Sequence, residues 1–175
     1  MKKIIWAVLI VLMSSTLAAY ATELKVGEKA PNFSLRDSRG NVFTLDSPEF
    51  KGKVLSVFYI NPDARDLNRH VENALIKDNE LDRQTSYKSF NITNLKAGKL
   101  PNFVYKSAIK NKRKKTGGVI LLDYDNTVLN LWGLKNRSDV IVLDKERICR
   151  YIYNGKLPPA EVDKLIKVIK EYQVK

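Results

Sequence analysis

The chain has 175 residues, with 31 Lys and Arg against 19 Asp and Glu and a formal net charge of +12. This length suits one domain with a hydrophobic core and excludes two domains of ordinary size. The single cysteine, Cys149, excludes an intramolecular disulfide, so packing must stabilise the fold.

The first residues have the three parts of a secretory signal peptide. Lys2-Lys3 is a charged segment, residues 4–13 are apolar, and Ala19-Tyr20-Ala21 is a small-x-small cleavage site. We expect residues 1–21 to be cleaved and residues 22–175 to form a single domain in the periplasm of a Gram-negative cell. An uncleaved N-terminal anchor is the alternative. The remaining apolar runs are too short to span a membrane.

The predicted domain opens with a hairpin signal. Phe33 and Leu35 alternate with polar residues, and Arg39-Gly40-Asn41 supplies a turn before Val42-Phe43. The dense β-branched and aromatic run from Val54 to Ile60 is typical of a strand covered on both faces. We therefore predict an N-terminal β-hairpin followed by a central strand.

Helices and strands alternate through the middle of the chain. Asn61-Pro62-Asp63 breaks the central strand, and residues 66–79 have the apolar spacing of a helix. Residues 87–95 form the next predicted strand, and Pro101 is well placed to begin a second helix. The positions predicted to be buried are Leu67, Val71, Ala74 and Leu75 on the first helix and Phe103, Val104 and Ile109 on the second.

The last third of the chain completes an α/β pattern. Strands are predicted at residues 117–123, 139–144 and 148–153. A short helix carrying Leu129 and Trp132 comes after the first of them, with Asp125 or Asn126 as its cap. A final amphipathic helix begins at Pro158-Pro159. The order predicts an α/β three-layer sandwich with a mixed central sheet.

The stretch from Asp123 to Thr127 matches the D-x-D-x-T signature of haloacid-dehalogenase-type phosphatases. In those enzymes the first Asp attacks a phosphoryl group. Here little more than fifty residues follow, and no acidic pair with suitable spacing is present to hold Mg²⁺. A strand that ends at Asp123 and a capped helix explain the same letters, so a phosphatase is not favoured.

Several segments match one known family in order along the chain. They are Gly52-Lys53-Val54 and residues 61–68, 100–115, 129–146 and 154–162. With the predicted order of strands and helices, they resemble the thioredoxin superfamily and, within it, the YtfJ family of small exported proteins. The resemblance covers essentially the whole chain after the signal peptide and implies a thioredoxin-like fold.

Two redox features of thioredoxin-like enzymes are missing from this chain. The position of the Cys-x-x-Cys pair is occupied by Ala64-Arg65-Asp66-Leu67, so a thiol that a helix N-terminus could activate is absent. Arg137-Ser138-Asp139 stands where the cis-proline would precede a strand. The resemblance therefore implies a non-redox accessory or binding protein rather than an enzyme, and it implies no cofactor.

The resemblance also places two polar loops side by side, where redox relatives hold their substrates. We predict that this face binds a periplasmic protein or an anionic envelope component, because a helix N-terminus with polar loops can hold anions or a peptide. The predicted binding residues are Asp63, Arg65, Asp66, Asn68, Arg137, Ser138 and Asp139. An equal alternative is that these residues only cap elements and keep the surface soluble.

Cys149 and the basic residues support two other functional hypotheses. Alternating apolar residues around Cys149 predict a small buried hydrophobe on a strand, and the alternative is a thiol oxidoreductase or peroxidase that uses this residue.

The cluster from Lys110 to Lys115 suits a helix C-terminus or a binder of anionic envelope components. Export makes nucleic acid an unexpected partner. One histidine, His70, is too few ligands for a metal site.

Overall fold

The computed structural model describes residues 23–135 and 137–175, and the predicted signal peptide lies outside them. In chain order the elements are strands β1 (Leu35–Asp37), β2 (Val42–Phe43) and β3 (Val54–Ile60), helix α1 (Arg69–Lys77), strand β4 (Tyr87–Asn94), helix α2 (Asn102–Thr116), strand β5 (Val119–Asp123), helix α3 (Thr127–Trp132), strands β6 (Ser138–Leu143) and β7 (Cys149–Asn154), and helix α4 (Pro159–Gln173). No helix in the described ranges is long and apolar enough to cross a membrane.

The strands form one mixed sheet in the order β2-β1-β5-β4-β3-β6-β7. Strands β3, β4 and β5 are parallel, because helices connect them, whereas β6, β7 and the hairpin of β1 and β2 run antiparallel to their neighbours. All seven residues of β3 are buried. The predicted α/β fold with a mixed central sheet and an N-terminal β-hairpin is confirmed.

Helices cover both faces of the sheet. On one face, α1 and α4 pack over β3 and β6 through Val71, Leu75 and Leu165, and α2 packs over β5 through Tyr105 and Ile109. The opposite face is covered by α3 and by the chain before β1, with the side chain of Trp132 fully buried among them. The architecture therefore has three layers, as the sequence pattern predicts.

The prediction for the buried face of α2 is partly wrong. Ile109 is buried, but the side chain of Phe103 is 74% exposed and that of Val104 is 38% exposed. The inward positions are Tyr105 and Ile109, which lie four residues apart and so share one face of the helix. The exposed Phe103 and Val104 leave an apolar patch at the beginning of α2.

Candidate functional site

Two loops lie side by side where the inner strands β3 and β6 meet at one end of the sheet. The loop of residues 61–68 follows β3, and Arg137 precedes β6, which is the antiparallel neighbour of β3. The backbone N–H of Asn61 donates to the carbonyl of Arg137 over 3.0 Å. The resemblance implied this arrangement, and the pairing of β3 with β6 is its physical cause.

The beginning of the first loop has a fixed local conformation. Residues Pro62–Ala64 form a 3-10 turn with Pro62 at its first position, and the side-chain oxygen of Asn61 accepts from the N–H of Asp63 over 3.0 Å. Proline fixes its own φ angle, and the asparagine satisfies a donor that the turn leaves open. This conformation directs the side chains of Asp63 and Arg65 toward solvent.

A groove of about 590 Å³ runs along the exposed side of these loops. Four predicted binding residues line it, and we call them the loop face: Asp63, Arg65, Asp66 and Arg137. All four are exposed. The loop face therefore presents two carboxylates and two guanidinium groups to solvent within one concave surface.

Asp63 is held in place by α2 and by the segment that leads into it. Its carboxylate accepts from the hydroxyl of Tyr105 over 2.7 Å and from the backbone N–H of Lys99 over 3.3 Å. Asp66 pairs with Arg69 and, over 3.7 Å, with Arg65. Sequence reasoning missed Tyr105, because only its helical spacing from Ile109 signalled its orientation and nothing signalled its partner.

Three other predicted binding residues lie inside the fold rather than on its surface. Asn68, Ser138 and Asp139 are 4%, 1% and 0% exposed. Ser138 and Asp139 belong to β6, which is buried along its whole length. Their burial corrects the expectation that all seven residues share one polar surface, and any role of these three in binding would have to be indirect.

Asn68 joins three parts of the chain. Its amide nitrogen donates to the hydroxyl of Ser138 over 3.0 Å and to the carbonyl of Gly155 over 2.8 Å, and its oxygen accepts from the N–H of Leu157 over 2.9 Å. His70 also contacts the segment between β7 and α4, through a 2.9 Å hydrogen bond between Nε2 and the carbonyl of Leu157. These bonds fix the beginning of α1 beneath the loop face.

Asp123 has a structural role in the D-x-D-x-T stretch. It is the last residue of β5 and fully buried, and its carboxylate accepts from the backbone N–H groups of Thr127 and Val128 over 2.7 and 2.9 Å. Asn126, one of the two predicted caps, occupies the N-cap position, but its side chain makes no capping bond, and the carboxylate of Asp123 satisfies these donors instead. The hydroxyl of Tyr59 also donates to Asp123 over 3.1 Å.

A comparison with known families identifies the chain. The family described as a bacterial protein of unknown function (YtfJ_HI0045) matches residues 19–172. The chain belongs to the YtfJ family. An uncharacterized protein from Haemophilus influenzae (strain ATCC 51907 / DSM 11121 / KW20 / Rd) is 32% identical over 68 residues, and this match spans 38% of the chain and only 37% of that protein.

Solved structures confirm a thioredoxin-like fold for this member of the YtfJ family. The thioredoxin domain of a thiol-disulfide oxidoreductase from Bacteroides vulgatus superposes with a TM-score of 0.60 at 19% identity, covering 83% of this chain and 97% of that one. The exposed lipoprotein thioredoxin of Streptococcus pneumoniae strain TIGR4 gives a TM-score of 0.57 at 17% identity, over 81% and 99% of the two chains. Identity this low establishes the fold alone.

The only cysteine of this YtfJ-family chain is part of the core. Cys149 begins β7, is fully buried, and its Sγ lies 3.4 Å from the carbonyl oxygen of Tyr151. The chain before β1 covers it, with the N–H of Cys149 donating to the carbonyl of Glu28 over 2.8 Å. Burial raises the pKa of the thiol to about 11. The prediction of a buried residue on a strand is confirmed.

The basic cluster from Lys110 to Lys115 occupies the end of α2. The helix ends at Thr116 and is capped by Gly117, whose φ of 64° lies in the left-handed region that favours glycine. Within the cluster, Lys112 pairs with Glu72 of α1 over 3.1 Å, and Arg113 lies 3.5 Å from Asp37. The cluster therefore has the predicted position at a helix C-terminus, and two of its cations attach α2 to its neighbours.

Proposed function

We propose that this protein is an exported, non-redox binding protein that uses the loop face to bind a protein partner in the periplasm. The observation that carries the proposal is the groove of about 590 Å³ beside Ala64-Arg65-Asp66-Leu67. At this place a thioredoxin-like enzyme has its redox pair, whereas this chain has exposed charged side chains fixed by hydrogen bonds.

The chemistry of thiols supports a non-redox role. Thiol–disulfide exchange requires an accessible thiolate, which thioredoxin-like enzymes obtain at a helix N-terminus. The loop before α1 contains no cysteine. Cys149 is fully buried, and burial holds its pKa near 11, so the neutral thiol predominates at physiological pH.

The N-terminal pattern supports export. Residues 1–21 have the charge, apolar run and cleavage site of a signal peptide. One of the proteins with a similar fold is described as an exposed lipoprotein thioredoxin. Although the periplasm is oxidising, a chain of this size needs no disulfide there, since its core is extensive.

The composition of the groove favours an extended segment of a partner protein as the ligand. Asp63 and Asp66 can accept hydrogen bonds, whereas Arg65 and Arg137 can pair with carboxylates. Leu100, which is 52% exposed, lines the same groove, and Phe103 extends the apolar surface along α2. Arginine and aromatic residues are enriched in protein interfaces, so Arg65, Arg137 and Phe103 favour a protein partner.

Site-specific photocrosslinking in the native periplasm tests this proposal. A photoreactive amino acid at Leu100 should capture a defined protein partner, because this position lines the groove. The same amino acid at Val42, which is 50% exposed on β2 at the far edge of the sheet, provides the control. The Leu100 product should disappear in the double variant Arg65→Ala and Arg137→Ala.

A charge-matched double variant completes that experiment. Lys51→Ala with Lys164→Ala removes two exposed cations outside the groove and should leave the Leu100 product unchanged. The proposal is wrong if the same product forms at Val42, or if the arginine variants capture the partner as well as the wild type does.

The redox alternative needs its own assay. Insulin reduction and peroxide consumption should both be at background for the wild-type protein and unchanged by Cys149→Ser. Activity that the wild type shows and the variant loses would establish the oxidoreductase or peroxidase hypothesis in place of the non-redox one.

Direct binding to an anionic envelope component is a second candidate. It is favoured by the exposure of Lys110, Lys114 and Lys115 in one cluster at the end of α2. Binding to anionic vesicles that falls steeply with salt, and that is lost on substitution of these lysines, would support it, since exposed charges are screened.

A further inference from the structure

A second groove lies between α1 and α2, over strand β4. Its volume is about 420 Å³. Asn91 and Thr93 of β4 line its floor and are 9% and 8% exposed. Ile109 and Ile120 form an apolar wall on the α2 side, so the groove combines a polar strip with an apolar one.

The groove exists because neither helix covers this part of the sheet. Helix α1 buries Val71 and Leu75 on the side of β3 and α4, whereas α2 packs against Ile120 of β5. Between them β4 presents Asn91 and Thr93 instead of large apolar residues. A polar strip of this kind cannot form a dry helix–sheet contact, so the two helices remain apart above it.

The lining of this groove is strongly basic. Four cationic residues contribute to it, and no carboxylate among the described residues does: Arg65, Arg69, Lys112 and Lys115. Lys112 pairs with Glu72, and Arg69 pairs with Asp66, both outside the lining. Lys115 makes no ion pair in the part of the chain that the structure describes. A concave surface with one sign of charge and apolar walls concentrates oppositely charged ligands.

The polar floor adds hydrogen-bonding capacity to the positive charge. The amide nitrogen of Asn91 donates to Glu72 over 2.8 Å, which fixes this side chain at the boundary of the groove. The hydroxyl of Thr93 makes no hydrogen bond with other described residues, although Thr93 is more than nine-tenths buried. Its hydroxyl is therefore available to a molecule in the groove.

We propose that this groove binds a small amphipathic organic anion, with a carboxylate or phosphate head and an apolar body. The head would lie among Lys112, Lys115 and Arg69, which can bind an anion by charge-assisted hydrogen bonds. The body would lie against Ile109 and Ile120. A volume of about 420 Å³ is within the usual range of small-molecule sites.

The proposed anion site is distinct from the proposed protein-binding site at the loop face. The two grooves share Pro62, Arg65 and Tyr105 at their boundary, but the cations at the end of α2 and the floor of β4 belong to the second groove alone. Variants at α2 therefore test the anion site without altering the charged residues of the loop face. Either proposal can fail while the other stands.

Isothermal titration calorimetry with octanoate and octyl phosphate tests the proposal. Both should bind with one-to-one stoichiometry to the protein without its signal peptide, and neutral 1-octanol should bind at least about tenfold more weakly because it lacks the charge. Lys115→Glu should weaken binding about tenfold or more, whereas Lys114→Glu should change it less than about twofold. Lys114 is exposed in the same helix, outside the groove.

Steric variants separate this groove from a diffuse basic surface. Ala108 lines the groove, and Ser107 is exposed on the same helix outside it. Ala108→Trp should abolish octanoate binding, whereas Ser107→Trp should retain it, with unchanged circular dichroism confirming that both fold. Equal effects of Lys115→Glu and Lys114→Glu, retained binding in Ala108→Trp, or no measurable binding of either anion would overturn the proposal.

Vesicles of phosphatidylglycerol distinguish two sources of the same chemistry. If the natural ligand is a free organic anion, octanoate and octyl phosphate bind and the vesicles do not compete. If it is the head group and chain of a membrane lipid, the vesicles compete, and Ala108→Trp abolishes this competition. Vesicle binding that Ala108→Trp leaves unchanged, together with no binding of free anion, rules out the groove as the site.

Discussion

The hydroxyl of Tyr105 donates a 2.7 Å hydrogen bond to the carboxylate of Asp63 and also accepts from the backbone N–H of Leu100 over 2.9 Å. One side chain of α2 thereby holds both walls of the groove at the loop face. This link ties the loop after β3 to the segment that leads into α2.

Tyr105→Phe should loosen the loop face. It removes the hydrogen bond to a charged acceptor and leaves the N–H of Leu100 without its side-chain partner, so we expect a loss of about 1–2 kcal/mol in the free energy of unfolding. Amide hydrogen exchange across residues 62–67 should accelerate. Denaturant unfolding and hydrogen-exchange mass spectrometry measure the two effects.

Tyr124→Phe is the matched control for that experiment. The hydroxyl of Tyr124 makes no hydrogen bond within the described ranges, and its ring lies 5.1 Å from Nζ of Lys106. Removing this hydroxyl should leave both the stability and the exchange of residues 62–67 unchanged. If Tyr105→Phe changes stability and exchange as little as Tyr124→Phe does, Tyr105 contributes by packing alone.

Asn68→Ala should destabilise the whole domain rather than weaken a surface contact. It removes three hydrogen bonds to Ser138, Gly155 and Leu157 and leaves buried polar groups unsatisfied, so we expect a loss of about 3 kcal/mol. Asn102→Ala, at an exposed position at the beginning of α2, should cost less than about 0.5 kcal/mol. Thermal and denaturant unfolding compare the two, and equal stability would show that the loops hold together without Asn68.

Sequence patterns predicted the elements better than they predicted the surroundings of the site. The apolar run from Val54 to Ile60 favours a strand buried on both faces, and it is one. The burial of Asn68 depends on partners 70 to 89 residues away, and no local pattern reports contacts at that separation. The resemblance to the family placed the two loops side by side, but it did not indicate which of their side chains face solvent.

The two grooves are harder to predict from the sequence than the burial of single residues is. Each depends on the distance between elements rather than on any one element. Phe103 and Val104 fit a buried stripe as well as Tyr105 and Ile109 do, and the rotation of α2 is fixed by distant contacts such as the hydrogen bond from Tyr105 to Asp63. The polar residues of β4 that keep α1 and α2 apart have no distinctive motif.

The thiol of Cys149 should remain inaccessible until the protein unfolds. In native protein at neutral pH, a disulfide reagent such as 5,5′-dithiobis(2-nitrobenzoate) should react only as fast as the fold opens, because the thiol is buried and its pKa is near 11. In denaturant the same residue should react at once. Rapid labelling of the native protein would contradict the burial.

The same raised pKa makes stability depend on pH. The folded thiol keeps its proton up to about pH 11, whereas the unfolded thiol loses it near pH 9, so the unfolded chain binds fewer protons between these values. The free energy of unfolding should therefore fall as pH rises through this window, by about 2 kcal/mol from this group. Buried tyrosines add to the loss, and burial likewise raises the pKa of Tyr87 to about 12.

Cys149→Ala isolates the part of this loss that belongs to the thiol. The variant should be less stable than the wild type by about 1 kcal/mol at pH 7, because it leaves a small cavity. Its disadvantage should shrink or reverse by pH 11, since only the wild type has a buried thiol to ionise. A constant difference across the range would show that the thiol does not titrate differently in the folded protein.

Asp123→Asn should destabilise the domain, because a neutral amide replaces the carboxylate that accepts from Thr127, Val128 and Tyr59. We expect a loss of about 2 kcal/mol in the free energy of unfolding. Asp125→Asn is the matched control, since Asp125 is exposed and its substitution should cost less than about 0.5 kcal/mol. A D-x-D-x-T phosphatase would need both carboxylates for activity. Hydrolysis of phosphate esters by the wild type, abolished in both variants, would restore the phosphatase interpretation, and equal stability of the two variants would contradict the structural role of Asp123.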